Sequence, residues 1–271
     1  TGFCIKPLRN SGVITIPELF QKKFGTKIRW AAGVVIVLGG LLNMGVFLRT
    51  GGEFLVMVTG LNIHYLEITM TILLIAVAIY TILGGMLSVL VTDFLQFVVM
   101  SLGLISVTVL ILINVGWSNL TATVTSHYGA GGFNPFVHPK MGWPYVLFNV
   151  FLNFSVVLTW QTIISRLLAA KDSKTGSKIY KGTSFFFVAR FLIPGIWGIA
   201  ALTVLGTDIT GGSSLYAMPQ LLNKILPVGL MGVLVAAMLA ADMSTDSSYM
   251  LTWGSVIYND ILAPFRKTKW S

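Results

Sequence analysis

Residues 226–262 read LPVGLMGVLVAAMLAADMSTDSSYMLTWGSVIYNDIL. About twenty apolar residues cross a bilayer. This run is long enough, yet its middle carries Asp242, Ser244, Thr245, Asp246, Ser247 and Ser248. An ionisable side chain at membrane depth costs roughly 2.5–3.5 kcal/mol even on the lenient insertion scale, so the cluster must face protein, water or an ion. At about 100° per residue, Ala241, Ser244, Thr245 and Ser248 fall on one helical stripe, and Asp242, Asp246, Tyr249 and Trp253 on its neighbour. Hydroxyl oxygens beside a small residue suit a dehydrated alkali cation, which exchanges its water shell for hard oxygen ligands. Ser and Thr also bind membrane helices to one another; the flanking aspartates tip the reading toward the ion.

The rest of the chain has the same character. Hydrophobic residues make up 55% and charged residues 10%, against roughly 25% charged in soluble domains. The expected class is an all-α polytopic membrane protein, a single transmembrane domain over residues 1–271. The net charge of +9 does not imply nucleic-acid binding, because the charges alternate by loop. Lys6, Arg9, Lys22, Lys23, Lys27 and Arg29 fall in one loop, Arg166, Lys171, Lys174, Lys178 and Lys181 in another, and Arg266, Lys267 and Lys269 at the end, whereas only Lys140 and Lys224 fall in the alternate loops. This is the positive-inside pattern, and it predicts cytoplasmic basic loops in a membrane expected to be the plasma membrane. The lone Cys4 excludes an internal disulfide or a thiolate cluster.

Working outward, spans are expected at 30–58, 67–83, 93–115, 145–165, 182–205 and 227–262. An amphipathic helix on the inner surface is expected at 14–24, started by Thr15 as N-cap with Glu18 three residues on. Residues 116–144 read as an outer loop. Arg49 and Glu53 are four apart and can pair on one face; a mutually neutralised pair and a contribution to a substrate pocket both fit. Asp93, near the inner end of its span, reads either as a helix-dipole partner or as a cation relay. The span 145–165 is rich in polar groups, with Asn149, Asn153, Ser155, Thr159 and Gln161 beside Trp160, which suggests a solute pocket or an unwound segment. Arg190 and Pro194 lie inside the next span; Pro194 predicts a kink, and Arg190 must pair or snorkel.

Four stretches together carry a resemblance: TIPELFQKKFG from Thr15, GGMLSVLVTDFLQ from Gly84, WQTIISRLLAAK from Trp160, and AAMLAADMSTDSSYMLTWGSVIYNDI from Ala236. In this order and spacing they resemble the sodium/solute symporter family, over nearly the whole chain. The resemblance implies a LeuT-type core of ten helices in two inverted five-helix repeats. Of these, the chain looks like a fragment running from the end of the second core helix through the eighth. It implies that Ala241, Ser244 and Thr245 bind the co-transported sodium ion, with no organic cofactor. Asp93 matches a residue associated with a second sodium site or the ion exit path. Asp242, Asp246 and Ser248 join it as a possible second cation site. Asn153, Trp160, Gln161, Arg190 and Glu53 are the candidate substrate residues, Arg190 being similar to a basic residue of sugar-transporting members. Asp242 and Asp246 depart from the sugar-type pattern, and the Asp-Ser-Ser run and Trp160-Gln161 are similar to choline-type members. The two aspartates, one turn apart, repel each other if ionised and then need a cation nearby: a second sodium, a proton, an organic cation, or the guanidinium of Arg190 or Arg49; lining a water-facing cavity is the other reading.

The function expected is therefore sodium-coupled symport of a small organic solute by alternating access, with membrane lipid as the other partner and no enzymatic activity. A transporter-like sensor module fused to a signalling domain is the alternative. The solute class (sugar, carboxylate, amino acid or quaternary amine) stays open at this point.

Overall fold

The computed structural model describes residues 2–138, 140–206 and 214–265. Arg266, Lys267 and Lys269 of the charge pattern, and part of the loop expected after Gly206, lie outside the described residues. Among these the secondary structure is helical throughout. In order, it comprises α1 (Gly2–Asn10), α2 (Ile16–Phe24), α3 (Thr26–Thr59), α4 (Leu66–Val115), α5 (Trp117–Tyr128), α6 (Gly142–Thr159), α7 (Gln161–Ala169), α8 (Ser173–Leu205), α9 (Ala217–Ile225) and α10 (Val228–Val256), the last running into a π-helical turn, Ile257–Leu262. Among the described residues, five helical runs are long and apolar enough to cross a membrane. Side chains such as Ile82, Leu83, Leu87 and Phe185 project fully from the bundle. Hydrocarbon is the solvent that suits so continuous an apolar surface.

The local breaks follow from particular residues. Thr15 caps α2: its Oγ1 accepts from the Glu18 amide at 3.2 Å, and Glu18 Oε2 accepts from the Ile14 amide at 2.7 Å. The reciprocal bond thus forms one residue earlier than in a standard capping box. The 34 residues of α3 would run about 51 Å at 1.5 Å per residue, so α3 must tilt to fit about 30 Å of hydrocarbon.

Elsewhere the boundaries differ from those read in the sequence. The segments 67–83 and 93–115 belong to one run, α4, interrupted only at Gly85 (φ 60°, ψ −165°), a conformation that glycine adopts without a Cβ clash. Asp93 therefore sits about two turns inside the second half of α4, beyond the reach of an N-terminal dipole. The segment 145–165 is interrupted at Trp160, whose ψ of 107° separates α6 from α7. The next helix starts at Ser173 rather than 182, because Asp172 caps it through a 2.7 Å bond from the Thr175 amide, and it continues through Pro194 to Leu205. The stretch 116–144 contains a further helix, α5, as the chain resumes helical geometry after Gly116.

The central helix, α10, packs most extensively against α4 and next against α3. Two glycines of α3 permit this approach. A Cβ at Gly40 would enter the indole of Trp253, and one at Gly51 would press on the Asp242 carboxylate. Away from the basic loops, Val107, Ile111, Trp197, Ala200, Leu221, Leu222 and Leu234 form the main apolar core, tying α4, α8, α9 and α10 together. The Trp197 indole is satisfied there by donating to Thr108 Oγ1 at 2.9 Å.

Candidate functional site

The serine and threonine hydroxyls of α10 are oriented by their own helix. Ser244 Oγ and Thr245 Oγ1 each donate to the Ala241 carbonyl at 2.9 Å, and Ser248 Oγ donates to the Ser244 carbonyl at 2.6 Å. A hydroxyl has one proton and two lone pairs. With its proton committed to the helix, each oxygen presents only lone pairs outward, as a hydroxyl that ligates a cation must.

These oxygens lie between two cavities. The larger, about 730 Å³, is lined by Ser244, Thr245, Ser248 and Tyr249 of α10, by Asn43 and Phe47 of α3, and by Asp93 of α4. Its opposite walls are Asn153, Trp160, Thr162 and Arg166 of α6 and α7, with Phe187, Arg190 and Phe191 of α8. The smaller, about 270 Å³, is lined by Ala241, Asp242 and Thr245 against Thr50, Gly51 and Glu53. Thr245 and Phe47 belong to both walls.

An aromatic cluster fixes one side of the larger cavity. Trp160 packs edge-on to Tyr249 (6.2 Å between centroids) and to Trp253 (5.8 Å), and Phe47 packs edge-on to Tyr249 (6.1 Å). The Tyr249 hydroxyl donates to Asn43 Oδ1 at 2.8 Å. Break residue and pocket wall thus coincide at Trp160, where an unwound segment or a solute pocket was expected.

The charges distribute unevenly. Arg166 Nη2 donates to Asp93 Oδ2 at 2.8 Å and to Ser248 Oγ at 2.5 Å, bridging α7, α4 and α10. Asp93 is therefore matched by a guanidinium, and Ser248 has one approaching its lone pair, which makes both poor ligands for a second cation. Arg49 pairs with Glu53 at 2.9 Å, with the arginine exposed and Glu53 on the smaller cavity. Asp242 and Asp246 were expected to find an arginine, an ion or an organic cation. Among the described residues neither forms an ion pair; Asp246 is fully buried with both carboxylate oxygens unpartnered, and Asp242 Oδ2 is likewise unpartnered. The internal salt bridge to Arg190 or Arg49 is thus not formed. Arg190 instead stands in the wall of the larger cavity, its guanidinium 5.4 Å from the Phe187 ring.

Gln161 is the other departure. Though adjacent to Trp160, it is 1% exposed and turned from the cavity. Its Oε1 accepts from the Ile16 amide at 2.8 Å, holding the first turn of α2. Sequence reasoning missed the cluster beside it. Thr15 Oγ1 donates to Asp260 Oδ1 at 2.9 Å, Arg29 Nε donates to the same oxygen at 2.6 Å, and Arg29 also reaches the Asn259 carbonyl (2.9 Å) and Gln21 Oε1 (2.6 Å). Asp260 is fully buried. The only signal for this cluster was an acidic residue at the end of a span, next to a loop rich in basic residues.

The pattern of the sodium:solute symporter family matches residues 1–271. The chain belongs to the sodium:solute symporter family. It is 28% identical to zebrafish (Danio rerio) sodium/glucose cotransporter 4 over 93% of this chain and 43% of that protein. It is 27% identical to the sodium/mannose cotransporter of Bos taurus over 93% of the chain and 47% of that protein, and 25% identical to the Bos taurus sodium/myo-inositol cotransporter over 95% and 42%. The chain spans less than half the length of these relatives. Membership makes it part of an integral membrane transporter family rather than an enzyme family.

Proposed function

We propose that this symporter-family chain forms part of a transporter that couples the inward movement of sodium to uptake of a small organic solute by alternating access. The observation that carries this reading is the pair of Ser244 and Thr245 hydroxyl oxygens, their protons turned back onto the Ala241 carbonyl and their lone pairs free on the side where both line the larger cavity and Thr245 the smaller as well. Sodium binds there, completed by ligands from elsewhere in the protein. Asp242 and Asp246, beside it with three unpartnered oxygens, favour a second cation nearby. The solute binds in the larger cavity, whose volume lies in the roughly 300–1,000 Å³ range of small-molecule sites, against Trp160, Asn153 and Arg190. Glu53 acts from the smaller cavity, and Gln161 acts by holding α2. The basic end of the bundle faces the cytoplasm of a cell whose plasma membrane holds the protein.

The test is sodium-driven uptake by the complete protein carrying this chain, reconstituted in proteoliposomes. Replacing Ser244 and Thr245 together with Ala removes two ligands while improving helix propensity. The sodium concentration for half-maximal uptake is expected to rise about tenfold or more, the effect of losing at least 1.4 kcal/mol of binding, with the melting temperature unchanged. Sodium dependence identical to the parent's would return both hydroxyls to a packing role.

A further inference from the structure

We infer that the solute of the larger cavity carries a carboxylate, which pairs with Arg190. The inference rests on the symport reading above and names the solute class for that same cavity.

The first ground is the charge of the cavity. Three acidic or basic side chains line it: Asp93, Arg166 and Arg190. Asp93 and Arg166 neutralise each other at 2.8 Å. That leaves one positive charge, on Arg190. The acidic side chains that might offset it lie elsewhere, since Asp242 and Glu53 face the smaller cavity and Asp246 lines neither.

The second ground is hydrogen bonding. Among the described residues, five arginines can be compared. Arg9 donates to the Ala170 and Lys171 carbonyls, Arg29 to Asp260, Asn259 and Gln21, Arg49 to Glu53, and Arg166 to Asp93 and Ser248. Arg190 alone donates to no protein acceptor; it is exposed, with its guanidinium 5.4 Å from the Phe187 ring. An exposed guanidinium in a cavity wall has its donors free to bind, and a carboxylate is the acceptor that matches both its charge and its planar fork. A neutral sugar accepts hydrogen bonds yet leaves the charge uncompensated. A quaternary ammonium brings a second positive charge and is repelled. Sodium bound at Ser244 and Thr245, on the same cavity, adds positive charge and strengthens the preference for an anion.

Trp160 and Tyr249 supply the apolar faces against which a ring or short carbon chain rests.

The experiment measures sodium-driven uptake and competition in proteoliposomes with three probes, glucuronate, glucose and choline. Glucuronate is expected to be the strongest competitor, with glucose and choline at least about tenfold weaker, the factor that corresponds to one charge-assisted hydrogen bond. Arg190→Gln should raise the KM for glucuronate about tenfold or more, by a clearly larger factor than for glucose, with the sodium half-saturation kept; Arg190→Lys should recover part of the loss. Heat stabilisation of Arg190→Gln by sodium alone checks that the variant is folded. Equal uptake of glucose and glucuronate, or an equal loss of both in Arg190→Gln, overturns the carboxylate assignment while sodium coupling stands. Sodium-driven uptake of choline does the same. Uptake of a probe that ignores sodium overturns the symport reading instead.

Discussion

Removing Arg29 is the sharpest structural test of how the basic end is held. Asp260 is fully buried, and Oδ1 takes bonds from Arg29 Nε at 2.6 Å and Thr15 Oγ1 at 2.9 Å, while its Oδ2 is unpartnered. The Arg29 side chain is 15% exposed, so solvent does little to screen the pair. Arg29→Met keeps the aliphatic stem but strips three interactions at once: the ion pair, the bond to the Asn259 carbonyl and the bond to Gln21. It also leaves a buried carboxylate with one hydroxyl as its sole partner. Breaking a buried pair by deleting one member costs about 3–5 kcal/mol, chiefly because the survivor is uncompensated, whereas replacing both with apolar groups is close to neutral. Arg29→Met is therefore expected to lower stability by about that amount, and Arg29→Met with Asp260→Leu to restore most of it. The measurement is a double-mutant cycle on unfolding free energy in a defined detergent, with full-length protein. A coupling below about 0.5 kcal/mol, the scatter expected of independent sites, would refute the reasoning.

Gly40→Leu should destabilise by about 1–3 kcal/mol or more as the side chain is driven into the Trp253 indole, and an added Trp253→Ala should recover part of the loss; a thermal shift equal to that of Gly39→Leu, where no atom lies near an added Cβ, would be the contrary result. Asp172 lies in the loop before α8, and the Thr175 amide bonded to its carboxylate holds its pKa below the usual carboxylate value. Because the folded value is depressed, the stabilisation is full above the unfolded value of about 3.9 and is lost as pH falls through the folded one. Exchange of the Thr175 amide should accelerate across that acidic window in the parent and show no such step in Asp172→Asn.

How much of this was legible can be followed residue by residue. Apolar runs and the hydroxyl stripe of α10 are local properties, so Ser244, Thr245 and the Thr15 cap could be read from spacing, and the family followed from motifs in order. Asp93 was misplaced because the break at Gly85 removed the loop that hydropathy had suggested, moving the residue into the helix interior. Gln161 looked like a pocket amide because polarity at membrane depth signals function without saying which way a side chain points. Its partner, Ile16, is 145 residues away. Arg166 was counted among loop charges, since composition does not reveal that α7 carries it under the cavity. The unpaired state of Asp246 was equally out of reach, as an absent partner leaves no mark on a sequence.

The break in α4 makes this region unusually intolerant of changes in length. One glycine separates residues 66–84 from 86–115, so no slack exists to absorb an inserted or deleted residue. Each residue gained or lost after Gly85 turns the second half by about 100° and shifts it by about 1.5 Å. A single insertion at Met86 would therefore swing Asp93 a quarter-turn off Arg166 and move Val107 and Ile111 out of the apolar core together. Two lengths of helix coupled through a single residue behave as one phased object, and evolution can substitute side chains along it far more freely than it can alter its count.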